Sequence, residues 1–130
     1  MSDEVKKAQN LNPKEEETIF HKIVNGTIPS TKVYEDQDVY AFRDISPVAP
    51  THIIIIPKVL NGLNMLSSAQ KEHIEILGKL LYSASLIAKQ EKLDKGYRIV
   101  INCDTHGCQS VNYIHLHLIG GKQLGCPPGV

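Results

Sequence analysis

Thr51-His52-Ile53-Ile54-Ile55-Ile56-Pro57 constrains this chain more than any other stretch. Four consecutive β-branched residues favour an extended backbone and are poor helix starters. A strand sends alternate side chains to opposite faces. Four isoleucines in a row therefore make both faces apolar, and both must be covered. The run predicts a central strand with a layer on each side. His52 shares one of those faces with Ile54 and Ile56.

A second stretch has the same period but a different content. In Gln109-Ser110-Val111-Asn112-Tyr113-Ile114-His115-Leu116-His117-Leu118-Ile119-Gly120-Gly121, Tyr113, His115, His117 and Ile119 point one way. Ile114, Leu116 and Leu118 point the other way, onto a core. Two imidazoles then lie ~6–7 Å apart on one face, which suits a phosphate-sized group between them. Lys32–Glu35 and Val39–Arg43 read as two further strands joined by an Asp36-Gln37-Asp38 hairpin turn. Tyr97–Asn102 reads as a fifth. Thr18 caps a short helix that ends at Asn25-Gly26. Ser67 with Gln70 has capping-box spacing and opens one long helix. Its apolar stripe runs through Ile74, Leu77, Leu81, Ala84 and Ala88, widened by Leu80 and Ile87. Both His21 and His73 fall off the apolar faces and are expected in solvent. The whole predicts an α+β domain: an antiparallel five-stranded sheet, one long helix and a short N-terminal helix. Residues 1–16 read as a flexible polar tail, and 17–130 as the single domain.

A length of 130 residues suits one core. Lys+Arg and Asp+Glu are both 14, so no basic excess marks a nucleic-acid binder. The longest apolar run is too short to span a bilayer. Nothing resembles a secretory signal, and three cysteines without a CxxC pair argue against a disulfide scaffold. These features predict a cytoplasmic location, with the nucleus also open, and neither nucleic acid nor membrane as partner.

Four readings of the histidine pair stand side by side. It holds a metal with His52, His106 or Cys108; it is structural; it binds a nucleotide without turnover; or one histidine attacks phosphorus while the other holds the oxygens. Imidazole has a pKa of ~6.5, and its neutral form is a nucleophile. Ser110 and backbone N–H groups would neutralise phosphoryl oxygens, with Gln109 orienting substrate and water. Asp44, at a strand end, either caps local N–H groups or accepts from two ribose hydroxyls. Phe20 is either a core anchor or a wall for a flat base.

At these residues the chain resembles the histidine triad (HIT) superfamily, within it the Hint branch. The resemblance rests on TIFHKIVNGTIPS, AFRDISPVAPTHIIIIPK, GYRIVIN, GCQSVNYIHLHLIGG and the PPG tail. It implies a HIT-like fold, a homodimer sharing its sheet, and hydrolysis of purine nucleoside 5′-phosphoramidates through a nucleotidylated histidine. It implies no cofactor and no metal. By position, His115 matches the nucleophile and His117 the triad histidine that contacts phosphate. His52 matches a histidine that supports the triad. Cys108, Gln109 and Ser110 match the phosphate and leaving-group loop, and Asn102 a polar contact near it. Asp44 matches the ribose acid, with Phe42, Arg43 and Ile45 beside it. Ile19, Phe20, Ile23 and Ile54 match the base pocket. Other branches hydrolyse dinucleoside polyphosphates, and a weakly catalytic nucleotide-binding scaffold is a further alternative. Three departures stand out: Tyr113 at the first triad position, Cys108 for a glycine, and Cys126 for an aromatic in the tail.

Overall fold

The computed structural model describes residues 2–12 and 16–129. Helices α1 (Asp3–Gln9) and α2 (Ile19–Val24) precede strands β1 (Lys32–Glu35), β2 (Val39–Arg43) and β3 (Thr51–Pro57). Helix α3 (Ile74–Gln90), β4 (Tyr97–Ile101) and β5 (Leu116–Gly120) complete the chain. The strands form one sheet in the order β1-β2-β3-β5-β4, antiparallel throughout. The isoleucine strand β3 is the middle one and is buried along its whole length. Asp36 closes the first hairpin: its Oδ1 accepts from the backbone N–H groups of Asp38 and Val39, each at 2.8 Å.

Register divides the sheet into two chemistries. One row runs Ala41, Ile55, Leu116, Ile101 across four strands, and the next runs Arg43, Ile53, Leu118, Ile99. The aliphatic members of these rows pack with Leu80, Ala84, Ile87 and Ala88 of α3 into one core. The opposite face carries Phe42, Ile54, His117 and Val100 in register, with His52 facing Ile119 in the adjacent row. There Phe20 and Ile23 of α2 join Phe42, Ile54, Ile56 and Tyr113 in a second, aromatic cluster. The alternation expected for both apolar stretches is thus present, and it places α2 and α3 on opposite sides of the sheet.

Several expectations need correction. Segment 1–16 is not wholly without structure, because Asp3–Gln9 is a helix whose Ala8 is buried. The long helix starts at Ile74, not Ser67. Leu66–Ser68 and Lys71–His73 are separate 3₁₀ turns, and the capping box that opens the second is Gln70 with His73, not Ser67 with Gln70. His73 is therefore buried rather than exposed: its Nδ1 accepts from the Gln70 N–H at 2.9 Å and its Nε2 donates to the Asn61 carbonyl at 2.8 Å. His21 is likewise a cap, with Nδ1 2.9 Å from the Thr18 N–H. The stripe of α3 is rotated from its sequence reading: Ile74 and Leu81 face outward, and Leu80 and Ser83 face the sheet.

Candidate active site

The site lies on the aromatic face, where β5 and β3 run side by side. His115 comes from the segment just before β5 and His117 from its second position. Their ring centroids are 5.1 Å apart, closer than two ideal strand positions, because the chain is not yet a strand at His115. His52 on β3 is the third imidazole. Its Nε2 lies 2.9 Å from His117 Nδ1 and 3.4 Å from Asp44 Oδ2.

Hydrogen-bond partners assign the tautomers. The Val48 N–H donates to His52 Nδ1 at 3.2 Å, so neutral His52 carries its proton on Nε2. That N–H donates to His117 Nδ1, which leaves His117 protonated on Nε2. His115 has the opposite arrangement. Its Nδ1 donates to the Tyr113 carbonyl at 2.7 Å, leaving a lone pair on Nε2. The two imidazoles of this segment thus differ at Nε2, where His117 presents an N–H and His115 a lone pair. Burial lowers the pKa of all three, and brings His117 to about 4 with help from the neighbouring His115 and His52. All three are neutral at pH 7.

Tyr113 is 1% exposed and sits beneath this pair. Its hydroxyl donates to the Pro57 carbonyl, and its ring meets Phe20 at 5.9 Å and His21 at 4.8 Å. Burial pushes its pKa to about 12, so it relays no proton at neutral pH. It holds the turn through its side chain and orients His115 through its backbone. Phe20 packs edge-on to His115 at 5.0 Å and to Phe42 at 5.6 Å.

The loop before the pair is built on close backbone contacts. A Cβ at Gly107 would lie 2.3 Å from the Cys103 carbonyl oxygen, so only glycine fits. Cys108 follows at φ +65°, a left-handed conformation that suits glycine. Asn102 Nδ2 donates to the Cys108 carbonyl at 3.4 Å. All three cysteines are free thiols, and Cys126 is exposed.

Several site assignments from sequence do not reach the pocket. Gln109 is fully buried, and its amide is spent on the loop backbone. Its Nε2 donates to the Asn64 and Val111 carbonyls, and its Oε1 accepts from the Asp104 N–H. Its side chain braces the loop instead of orienting substrate. Arg43 alternates onto the α3 face, where it pairs with Glu91 at 2.8 Å. Ile45 stands out at 96% exposure beside Asp44. Asp44 makes the local cap, accepting from the Ser46 N–H at 2.8 Å through Oδ1, while Oδ2 stays on the histidine side. The groups that sequence reading missed are mostly backbone: the Val48 N–H and the Tyr113 and Pro57 carbonyls.

With this geometry in view, the sequence pattern of the HIT domain family matches residues 25–124. The chain belongs to the HIT family. A purine nucleoside phosphoramidase of Escherichia coli K12 is 50% identical over 111 residues, 85% of this chain and 92% of that one. A protein of Arabidopsis thaliana named adenylylsulfatase HINT1 is 56% identical over 129 residues, 99% of this chain and 88% of that one. A 14 kDa zinc-binding protein of Zea mays is 62% identical over 112 residues, 86% and 88% of the two chains. The crystal structure of a HIT family hydrolase from Legionella pneumophila superposes with a TM-score of 0.83 at 44% identity, covering 87% of this chain and all of that one.

Within this HIT chain, Asp44, His52 and His117 offer donor atoms within 4.8 Å of one another. They do not fit zinc as arranged. His52 Nδ1 already accepts from the Val48 N–H, so Nε2 carries the proton and has no lone pair to give.

Proposed function

We propose that this protein hydrolyses purine nucleoside 5′-phosphoramidates to the nucleoside monophosphate and an amine. The observation that carries this reading is the opposed pair of tautomers. His115 presents a lone pair on Nε2, and His117 presents an N–H. In the first step His115 Nε2 forms a bond to phosphorus and the P–N bond to the amine breaks. The electron pair stays on the departing nitrogen, which takes up a proton. In the second step water attacks the same phosphorus and loses a proton, and the P–Nε2 bond breaks. His117 Nε2–H and the Ser110 hydroxyl neutralise the phosphoryl oxygens in both steps. Ile19, Phe20, Ile23, Phe42 and Ile54 supply the apolar wall for the base, and Asp44 accepts from the ribose hydroxyls. The phosphoramidase name of the E. coli relative supports this reading.

Substitution His115→Ala is expected to lower turnover of an adenosine phosphoramidate by at least about 10³-fold with folding retained. Turnover within a few fold of wild type would remove His115 as the nucleophile. The name of the Arabidopsis relative favours a second leaving group, the sulfate of adenylyl sulfate. The same two steps apply, and parallel assays with amine and sulfate leaving groups rank them.

We further infer that two copies associate and continue the sheet. Strand β4 is an edge strand without a neighbour on its outer side among the described residues. Helix α3 also leaves Ile74, Leu81 and Tyr82 between 52% and 68% exposed. A second copy pairing along β4 would cover both features. Sedimentation of Leu81→Asp is expected to give a monomer where the parent chain gives a dimer, and a monomeric parent would sink the proposal.

A further inference from the structure

Positive and negative side chains balance at 14 each, yet the cations are not evenly neutralised. Lys32, Arg43, Lys58 and Lys79 each meet a carboxylate within 3.2 Å. Among the described residues, Lys92, Lys95, Arg98 and Lys122 meet none. All four line one cleft of about 730 Å³, between the α3–β4 connection and the segment that follows β5. Asp94 is the acid in its lining.

The fold fixes both walls of this cleft. The Leu93 N–H donates to the Ala88 carbonyl at 3.0 Å and the Gly96 N–H to the Leu93 carbonyl at 3.1 Å, which sets the turn between α3 and β4. Gly120 ends β5 against that turn, where a Cβ would lie 3.1 Å from Leu93 Cδ1. The half-buried Arg98 guanidinium ties down the other wall by donating to the Gly125 carbonyl at 2.7 Å. A cation near a helix C-terminus offsets the helix dipole. That accounts for Lys92, but not for Arg98 on β4 or Lys122 beyond β5. Like charges around one concave surface focus a positive potential into it. The volume is that of a small-molecule site, and guanidinium and ammonium groups suit phosphate oxygens. Against Asp94 the four cations leave an excess of three positive charges, more than the roughly 1.5 to 2 negative charges of one phosphate group. Tyr97, 43% exposed in the same lining, offers a flat apolar face.

We propose that this cleft binds a small ligand carrying two or more phosphate groups, at a site separate from the histidines. Its lining shares no residue with Asp44, His52, His115 or His117. The cations hold the phosphate chain, and the role of the site is binding, with no chemistry assigned to it. It stands independently of the hydrolase reading.

Calorimetric titration of the full chain with inorganic tripolyphosphate tests it, in low salt and with excess AMP present to fill the histidine site. The variant combines Lys95→Glu with Lys122→Glu, since both side chains are exposed and unpaired. Wild type is expected to bind saturably, and the double variant at least about tenfold more weakly. Titrated alone, AMP is expected to bind both proteins equally. No saturable binding of tripolyphosphate by wild type overturns the proposal, and so does equal binding by the double variant. A matching loss of AMP affinity in the double variant also overturns it, because the lysines would then serve the histidine site. A parallel titration with ATP separates two sources of the same chemistry. Tighter binding of ATP than of tripolyphosphate, with the gain lost in Tyr97→Ala, assigns the ligand a base; equal binding assigns a phosphate chain alone. Lysine-dependent binding in a protein that hydrolyses no phosphoramidate keeps the cleft and removes the hydrolase reading.

Discussion

The two faces of the sheet share the same strands and differ in nearly everything else. On the α3 face, Ile53, Ile55, Leu116 and Leu118 are aliphatic, fully buried and free of polar obligations. On the α2 face, β3, β5 and the segment leading into β5 carry three imidazoles, each bonded through a specific nitrogen. One face supplies stability through apolar burial. The other holds desolvated polar groups, which are tolerated only because partners fix them. A site placed against a rigid, dry core stays aligned without strength of its own.

Neighbouring residues can break this contrast. Leu116 sits between His115 and His117 but faces α3. Leu116→Ala is expected to cost about 2–5 kcal/mol of stability by denaturant titration, with the remaining folded fraction active. His115→Ala should do the opposite, losing turnover and little stability. A stability loss of equal size for both would show that the faces are not separable.

Acid tests the histidine face more gently. His117 protonates at ~6.5 in the unfolded chain and at about 4 in the folded one. The folded form therefore binds fewer protons between those values. The stabilising difference is complete above pH ~6.5 and is lost as pH falls toward 4, on the order of 3 kcal/mol from His117. Denaturation midpoints should fall in that window, while kcat should stay level until well below pH 6. An activity midpoint near 6.5 would mean that burial does not hold the site neutral.

The smallest expected effect concerns the loop. Cys108→Gly removes a side chain from a left-handed position and should stabilise by about 0.5–1 kcal/mol. Thermal unfolding checks the sign, and destabilisation would show that the thiol packs favourably.

Much of this contrast was legible in the sequence because strand periodicity is local. Four consecutive isoleucines required cover on both faces, and β3 is the central strand. The alternation around His115 and His117 separated site from core, and the motifs around it carried the family. The same periodicity, applied strictly, would have excluded Arg43, which alternates away from Phe42 and Asp44. The rotation of α3 was less accessible, since its apolar residues extend over more than one face.

What the sequence determined alone was which residues share a face, because the backbone period sets that within one strand. What only the tertiary structure decided was how equal residue types become unequal. His115 and His117 are the same residue two positions apart. One keeps a lone pair on Nε2 because a carbonyl takes its Nδ1–H; the other keeps an N–H on Nε2 because His52, fixed by the Val48 N–H, fills its Nδ1. Backbone groups carry no residue letter, and the strand that brings His52 lies 65 residues away in the chain. The chemistry of the site is therefore assigned by contacts that no local pattern encodes.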